Sequence, residues 1–395
     1  MFRVSPFASL LKLLPRGLFD RLVEQHGADR YRKRFDCWQQ LVVMIYAQFS
    51  GASSLRVLES SFNAHSAHHY HLRCRTLKRS TLADMNAGGS VEVFAKLAEA
   101  LMQQARGKLR SEGGELLRLL DSSSLTLKGH GYDEWTAKNR TRNTQGLKLH
   151  VLLGLTERAP LAQSISAPNL NDLDYARTLP IEPRAIYVFD KGYCDYSWWW
   201  RIHQSKARFV TRFKYNAKLA VVQDRRIAKN AAGIILKDQL VRLANRKPGA
   251  GRKIPYELPL RRIEVARENK PPLVLATNDL KSSALSIAER YRARWQIELF
   301  FKWIKQHLRI KRFLGKSENA VRIQILTALI AYLLVALHAT QHALKKSLWM
   351  ILSELRSTLF TRPNLELHRH RRWREQRSRF HAQQTVLFAR IFPGQ

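Results

Sequence analysis

Acid is scarce in this chain. Its 395 residues include 31 Asp and Glu against 68 Lys and Arg, a formal charge of +37 with a pI near 10.8. Self-repulsion on that scale strains a compact state, and an enzyme of small neutral substrates has no use for it. A polyanion explains it: neutralising six to ten phosphates makes affinity fall by roughly 10³–10⁵ between low and moderate salt. The cations are spread through the chain, which fits a long nucleic-acid footprint. Cysteine is rare as well. Cys37, Cys74 and Cys194 are widely spaced with no CxxC pair, so a reducing cytoplasm is expected and a disulfide framework is not. The longest predominantly apolar run, Ile325 to Leu337, suits a buried helix and is too short to span a bilayer. Met1 to Pro15 lacks the apolar stretch and cleavage site of a signal peptide. No membrane partner is expected, and no internal repeat is visible. What is present is a core: apolar residues make up 45% of the chain, and nine are Trp, more than a ribosomal or membrane-surface protein of this size carries. Two or three domains fit that length.

Residues 1–110 read as helical. Trp38 to Phe49 has apolar residues at helical spacing with Gly51 as its cap, Ser53 or Ser54 caps Leu55–Phe62, and Ser80 caps a helix from Arg79 to Met85. Short basic helices in succession read as a helix-turn-helix-like DNA-binding domain. His65, His68, His69, His71 and Cys74 match no standard zinc spacing and read as a polar turn. From residue 111 to 213 strands dominate, at 116–120, 147–155, 161–166, 185–189 and 208–213. Short helices at 172–179 and 197–205 separate the later ones, as in an α/β sheet. Lys128 to Gly146 is a basic loop. Residues 214–270 carry alternating pieces at Val221–Gln223, Tyr256–Leu260 and Arg262–Ala266 around the basic turn Arg246–Lys253, a β-rich insertion. Pro272–Asn278 resumes the main sheet within residues 271–345, which also hold an apolar helix from Ala320 to Leu344. Residues 346–395 form a basic helical C-terminal segment, densest in Arg between Arg362 and Arg379.

The segment Tyr291 to Arg309 is the most informative. On one continuous helix, Tyr291, Arg294, Glu298, Lys302, Lys305 and Arg309 fall along one narrow stripe, while Trp295, Ile297, Leu299, Phe300, Phe301, Trp303 and Ile304 cover the rest. A solvent-facing helix has the opposite proportions. Arg294, Glu298 and Lys302 at i,i+4 spacing form an ion-pair ladder on the plainest reading. A stripe that holds a metal ion through Glu298 and phosphates through its cations explains more. Asp121 and Asp190 each end an apolar strand-like run, where an unpaired carboxylate is costly. Either one alone has an ordinary reading as a cap or turn residue. If the two strands are neighbours, both acids emerge at one sheet edge, and Glu298 completes a set able to hold two Mg²⁺ ions roughly 4 Å apart for in-line attack on a phosphodiester.

Tyr291, Arg294, Glu298 and Lys305 together meet the pattern Tyr, two residues, Arg, three residues, Glu, six residues, Lys. In that pattern the chain resembles the bacterial cut-and-paste transposases of the insertion-sequence-4 group, which carry a D-D-E triad on a ribonuclease-H-like core. Asp121-Ser-Ser-Ser124 is similar to the family segment around the first acid and Phe189-Asp190-Lys-Gly-Tyr193 to the second. Gly146–His150, Ala167–Asp172 and Trp38–Glu59 also look like family segments. Asn86–Ser90 departs from the family, placing adjacent glycines where a charged helix usually continues.

The resemblance implies that Asp121, Asp190 and Glu298 bind two Mg²⁺ ions, with Mn²⁺ as a substitute, and that Tyr291, Arg294 and Lys305 grip phosphates. Lys302, on the same stripe, and Trp295, which can stack on an unpaired base, are further DNA-binding candidates. It also implies binding of terminal inverted repeats, excision through a hairpin associated with the β-rich insertion, joining to target double-stranded DNA, and a homodimer on two DNA ends in a bacterial cytoplasm. Two rivals remain open: a ribonuclease-H-like nuclease without strand transfer, and an inactive DNA-binding derivative.

Overall fold

The computed structural model describes residues 5–109, 114–127, 129–136, 145–244 and 256–361. Helices come first: α1 (Pro6–Leu11), α2 (Arg16–Gln25), α3 (Cys37–Ser50), α4 (Leu55–Asn63), α5 (His69–Leu72), α6 (Arg79–Gly88) and α7 (Val91–Lys108). The middle is mixed: β1 (Leu117–Thr126), β2 (Gly146–Gly154), β3 (Ala159–Ser166), α8 (Asp172–Thr178), β4 (Ile186–Phe189), α9 (Tyr196–Gln204) and β5 (Arg208–Arg212). Then follow β6 (Leu219–Asp224), β7 (Ile235–Leu243), β8 (Leu260–Val265) and β9 (Leu273–Thr277). Helices α10 (Ala284–Ala293), α11 (Trp295–His307), α12 (Glu318–Gln341) and α13 (Leu348–Thr358) complete the described chain.

One nine-stranded sheet runs in the order β3-β2-β1-β4-β5-β9-β8-β7-β6. The pairs β1/β4 and β4/β5 are parallel and the rest antiparallel. Alternation along the central strands sorts side chains onto two covered faces. Leu117, Leu119, Ile186, Val188 and Val210 enter a core shared with α3, α7, α11 and α12. Leu120, Tyr187, Phe189 and Phe209 enter another with Leu173 of α8 and Trp198 and Trp199 of α9.

Helix α12 organises the first core. It packs against α1, α3, α6, α7, α11, α13 and β3, which is why it is apolar on every side. Among the described residues it is the one helix long and apolar enough to cross a membrane, yet 94% of that apolar stretch is buried in the fold. Helix α3 lies beside it, buried from Cys37 to Phe49, so the N-terminal helices and the sheet share a continuous interior. Asp36 caps α3 by accepting from the Gln39 N–H at 2.7 Å, and Gly51 ends it at φ +70°. Ser54 caps α4, but α6 starts at Arg79 behind Lys78, leaving Ser80 inside the helix. The glycine pair makes the corner between α6 and α7: a Cβ on Gly89 would lie 2.3 Å from the Met85 carbonyl. In the histidine cluster, buried His69 bonds the Phe62 carbonyl at 3.0 Å and His65 stacks on Phe360, so both rings serve packing.

Three expectations about elements need correction. First, β1 does not stop at Asp121 but continues to Thr126, because β2 keeps pairing with it as far as Gly146. Second, Tyr256–Pro259 is not strand, and β7 was not foreseen. Its apolar alternation is broken by Asp238, which is buried against the Arg261 guanidinium through two 2.7 Å bonds. Third, the signature segment is two helices. At Arg294 the backbone tightens to i→i−3 bonds, Arg294 N–H to Tyr291 and Ile297 N–H to Arg294, and α11 ends before Arg309. Arg246–Lys253 and Arg362–Arg379 lie outside the described residues, as do Lys128 and residues 137–144 of the basic loop.

The loop after α11 is clamped by two buried glutamines. Gln324 donates to the carbonyls of Arg309 at 2.6 Å and Arg312 at 3.0 Å and accepts from the Leu314 N–H at 2.9 Å. Gln48 accepts from the Arg309 N–H at 2.7 Å. Gln324→Leu strands these backbone groups, so chemical denaturation should show a loss of about 3 kcal/mol.

Candidate active site

Parallel pairing of β1 with β4 ends at Leu120 opposite Phe189. Asp121 and Asp190 are the next residues on the two strands, and they share the face of Leu119 and Val188. Beyond that point β1 continues with β2 alone, Asp121 still opposite Val151. The crevice past the carboxyl end of β4 is where open α/β sheets bind ligands.

Helices α10 and α11 cross this face. The Tyr291 hydroxyl donates to Asp190 Oδ1 at 3.4 Å, and Arg212, the last residue of β5, donates to the same oxygen at 2.5 Å. At the helical corner, Arg294 Nη2 donates to Glu298 Oε1 at 2.6 Å while its Nη1 stands 3.7 Å from Asp121 Oδ2. Lys305 donates to Ser123 Oγ at 2.7 Å and to the Ser124 carbonyl at 2.8 Å, just past Asp121 on β1. The structure thus gathers Asp121, Asp190, Glu298, Tyr291, Arg294 and Lys305. Lys302 is exposed. Trp295 is 57% and Leu299 41% exposed, so the apolar part of the helix, read as buried outside the polar stripe, is not buried throughout. Trp295 is therefore a surface residue and not part of the core.

Burial pushes the Asp121 carboxyl up to about 6. The Ser122 N–H and Arg294 oppose the rise, while the charges of Glu298 and Asp172 add to it. Burial also raises Asp190, but the Arg212 and Lys191 N–H bonds and the nearby guanidinium charges outweigh it and hold that acid below its ordinary value. Among the described residues no three His, Cys, Asp or Glu side chains are grouped so as to hold an ion as they stand. Arg294 lies between Asp121 and Glu298, and Arg212 and Tyr291 hold Asp190. The donor set itself fits a divalent cation: three carboxylates, oxygen only, one of them short of positive charge.

Two cation-lined clefts flank the acids. One of about 640 Å³ runs from Asp190 past Arg212, Lys214, Tyr215, Arg262 and Arg267; another of about 650 Å³ runs past Thr126, Tyr132, Lys305, Lys311 and Arg312. Arg212 was not anticipated as a site residue. Its one signal is a cation ending an apolar strand, and only the β4/β5 pairing shows that it meets Asp190.

Residues 112–334, more than half of the chain, match the family model described as Transposase DDE domain. The chain belongs to the DDE transposase family. Residues 3–74 also match a domain family of unknown function (DUF4372). A putative transposase, y4zB, of Sinorhizobium fredii is 44% identical over 261 residues, covering 65% of this chain and 70% of that protein. A probable transposase for insertion sequence element IS5377 of Geobacillus stearothermophilus is 26% identical, covering 62% of this chain and 61% of that protein. A putative transposase for insertion sequence element IS4SA of Synechocystis is 30% identical over 38% of this chain and 40% of that protein. The enzyme is a DNA transposase of the insertion-sequence type. Its family catalyses DNA cleavage and strand transfer and depends on divalent metal.

The raised value of Asp121 has a consequence for the metal-free transposase. Since folding lifts it from 3.8 to about 6, its ionisation costs stability, a cost absent below about pH 4 and complete above about pH 6. Asp121→Asn should therefore stabilise the metal-free protein at pH 8 by on the order of 2 kcal/mol, with the gain shrinking towards pH 4. Denaturant titrations at several pH values in a chelator measure this.

Proposed function

We propose that Asp121, Asp190 and Glu298 are the catalytic acids of this transposase and hold two Mg²⁺ ions, which Mn²⁺ can replace. The observation that carries the reading is the register of β1 and β4, which sets Asp121 beside Asp190 on the face crossed by α11. Bound cations supply the positive charge that eases ionisation of the attacking hydroxyl and stabilises the leaving oxygen. Tyr291, Arg294 and Lys305 hold phosphates at the scissile bond, and exposed Trp295 offers a ring to an unpaired base. Exposed Lys302 adds a phosphate contact along α11. In cleavage a water oxygen bonds to phosphorus as the bond to the 3′ oxygen breaks. In transfer the freed 3′-hydroxyl attacks a second phosphodiester in the same way. Attack on the opposite strand of the same end forms a hairpin, the route we assign to excision.

The strand order β3-β2-β1-β4-β5, with β2 antiparallel between β1 and β3 and with α8 and α9 on one face, supports a ribonuclease-H-like core over residues 111–213 and 271–345. Strands β6 to β8 occupy the β-rich insertion at 214–270. Residues 1–110 are assigned to recognition of the terminal inverted repeats and 346–395 to a basic C-terminal segment. Two ends cut and joined together call for a homodimer on duplex DNA, acting on the bacterial nucleoid in the cytoplasm.

Asp121→Ala, Asp190→Ala and Glu298→Ala should each reduce cleavage of end-bearing DNA to background in Mg²⁺ while gel shifts in chelator show unchanged end binding. Lys305→Ala should instead weaken hold on the cleaved end and lower the slope of log affinity against log salt by about 1. Covalent joints between element end and target mark a transposase; cut ends without joints would favour a simple nuclease, and binding without cutting an inactive derivative.

A further inference from the structure

The face of β1 opposite the three acids carries a polar group that the reaction just described does not use. Ser122 and Ser124 point away from Asp121 and Ser123, and the β2 residues opposite them are His150 and Lys148. Ser122, His150 and Lys148 meet Asp172, at the start of α8. Its Oδ1 accepts from Ser122 Oγ at 2.8 Å and lies 3.1 Å from Lys148 Nζ and 3.5 Å from His150 Nδ1. His150 is fully buried and bonds Ser166 Oγ through its other nitrogen at 2.7 Å. Lys148 also donates to the Leu170 carbonyl at 2.8 Å, which fixes the chain entering α8. The surroundings are otherwise apolar and aromatic, Tyr175 and Tyr193 among them. A polar network set into such a face restricts the geometry of every member.

Ser122 is held from both sides of the sheet. Its hydroxyl is tied to Asp172, and its backbone N–H donates to Asp121 Oδ1 at 2.8 Å. We propose that Asp172 is a positioning residue for the metal site, fixing Ser122 so that the Ser122 N–H orients the Asp121 carboxylate. This rests on the assignment of Asp121 as a metal ligand. Carboxylate ligands are commonly aimed by such outer hydrogen bonds, whose loss weakens metal affinity about 10–100-fold. Asp172 does not touch the reacting atoms. A role confined to its ion pair with Lys148, or to the N-terminus of α8, would require its charge and would leave Ser122 irrelevant.

Titration of Mn²⁺ into the full-length protein on end DNA, followed by calorimetry or by the paramagnetic signal of free Mn²⁺, separates these roles. Asp172→Ala and Ser122→Ala should each weaken Mn²⁺ binding by about 10–100-fold, and the double variant should lose no more than either alone. Asp172→Asn keeps an oxygen facing Ser122 and should bind Mn²⁺ close to the parent level although its charge is gone. End binding in chelator should be unchanged throughout. Parent-like Mn²⁺ affinity in Ser122→Ala, losses that multiply in the double variant, or a failure of Asp172→Asn as deep as that of Asp172→Ala would each overturn the proposal. Asp121→Ala serves as the reference: if it too binds Mn²⁺ like the parent, the metal-site assignment falls and this inference with it.

Discussion

Two carboxylates are set side by side where the parallel pairing of β1 with β4 ends, and much of the surrounding structure supplies them with positive charge. β1 and β4 are in register to Leu120 and Phe189, so the placement of Asp121 next to Asp190 is a property of the sheet and not of any loop. Each acid is balanced separately. Asp190 takes its positive charge from Arg212 on the neighbouring strand, and Asp121 takes a weaker share from Arg294 across the crevice. Burial raises both acids; Arg212 at 2.5 Å helps to outweigh it at Asp190, and Arg294 at 3.7 Å does not outweigh it at Asp121, so one acid is low and the other raised. An acid short of compensation is where an added cation gains most.

Rigidity comes from elsewhere. The site is made of strand ends and a helical corner, and neither would stay in place without the interior beneath them. α12 supplies that interior, with α3 on one side and the sheet on another, so that residues hundreds of positions apart in sequence support one crevice. The Gln48 and Gln324 clamp extends this order to the loop that follows α11, whose Lys311 and Arg312 line the cleft beside Lys305. Basic side chains are thus carried on a fixed backbone, which lowers the entropy lost when they close on phosphates.

Much of this was legible in the residues. The alternation of apolar runs gave most strands, Gly51 and Ser54 bounded two of the early helices, and the Tyr291 to Lys305 spacing singled out the helices crossing the crevice. What stayed hidden depended on partners distant in sequence. β7 conceals its period because Asp238 is buried against Arg261, and no local pattern distinguishes a buried ion pair from a surface charge. Arg212 and Asp172 read as ordinary strand-end and helix-start residues until pairing across the sheet brings them to Asp190 and Ser122. The exposure of Leu299 was missed for a different reason: a helical wheel assumes one continuous helix, and the corner at Arg294 voids that assumption.

That corner also clarifies the spacing of the signature. Arg294 closes α10 and opens α11, so its side chain leaves from the junction and not from the flank of a straight rod. From there one guanidinium reaches both Glu298, four residues on, and Asp121, on another element altogether. A guanidinium and a divalent cation compete for those same oxygens. On the proposed reading Asp121 and Glu298 would hold a cation in place of their contacts with Arg294, and the guanidinium would then be available to a phosphate. Lysine at this position would supply the charge but not the two separate N–H directions by which Arg294 spans both acids.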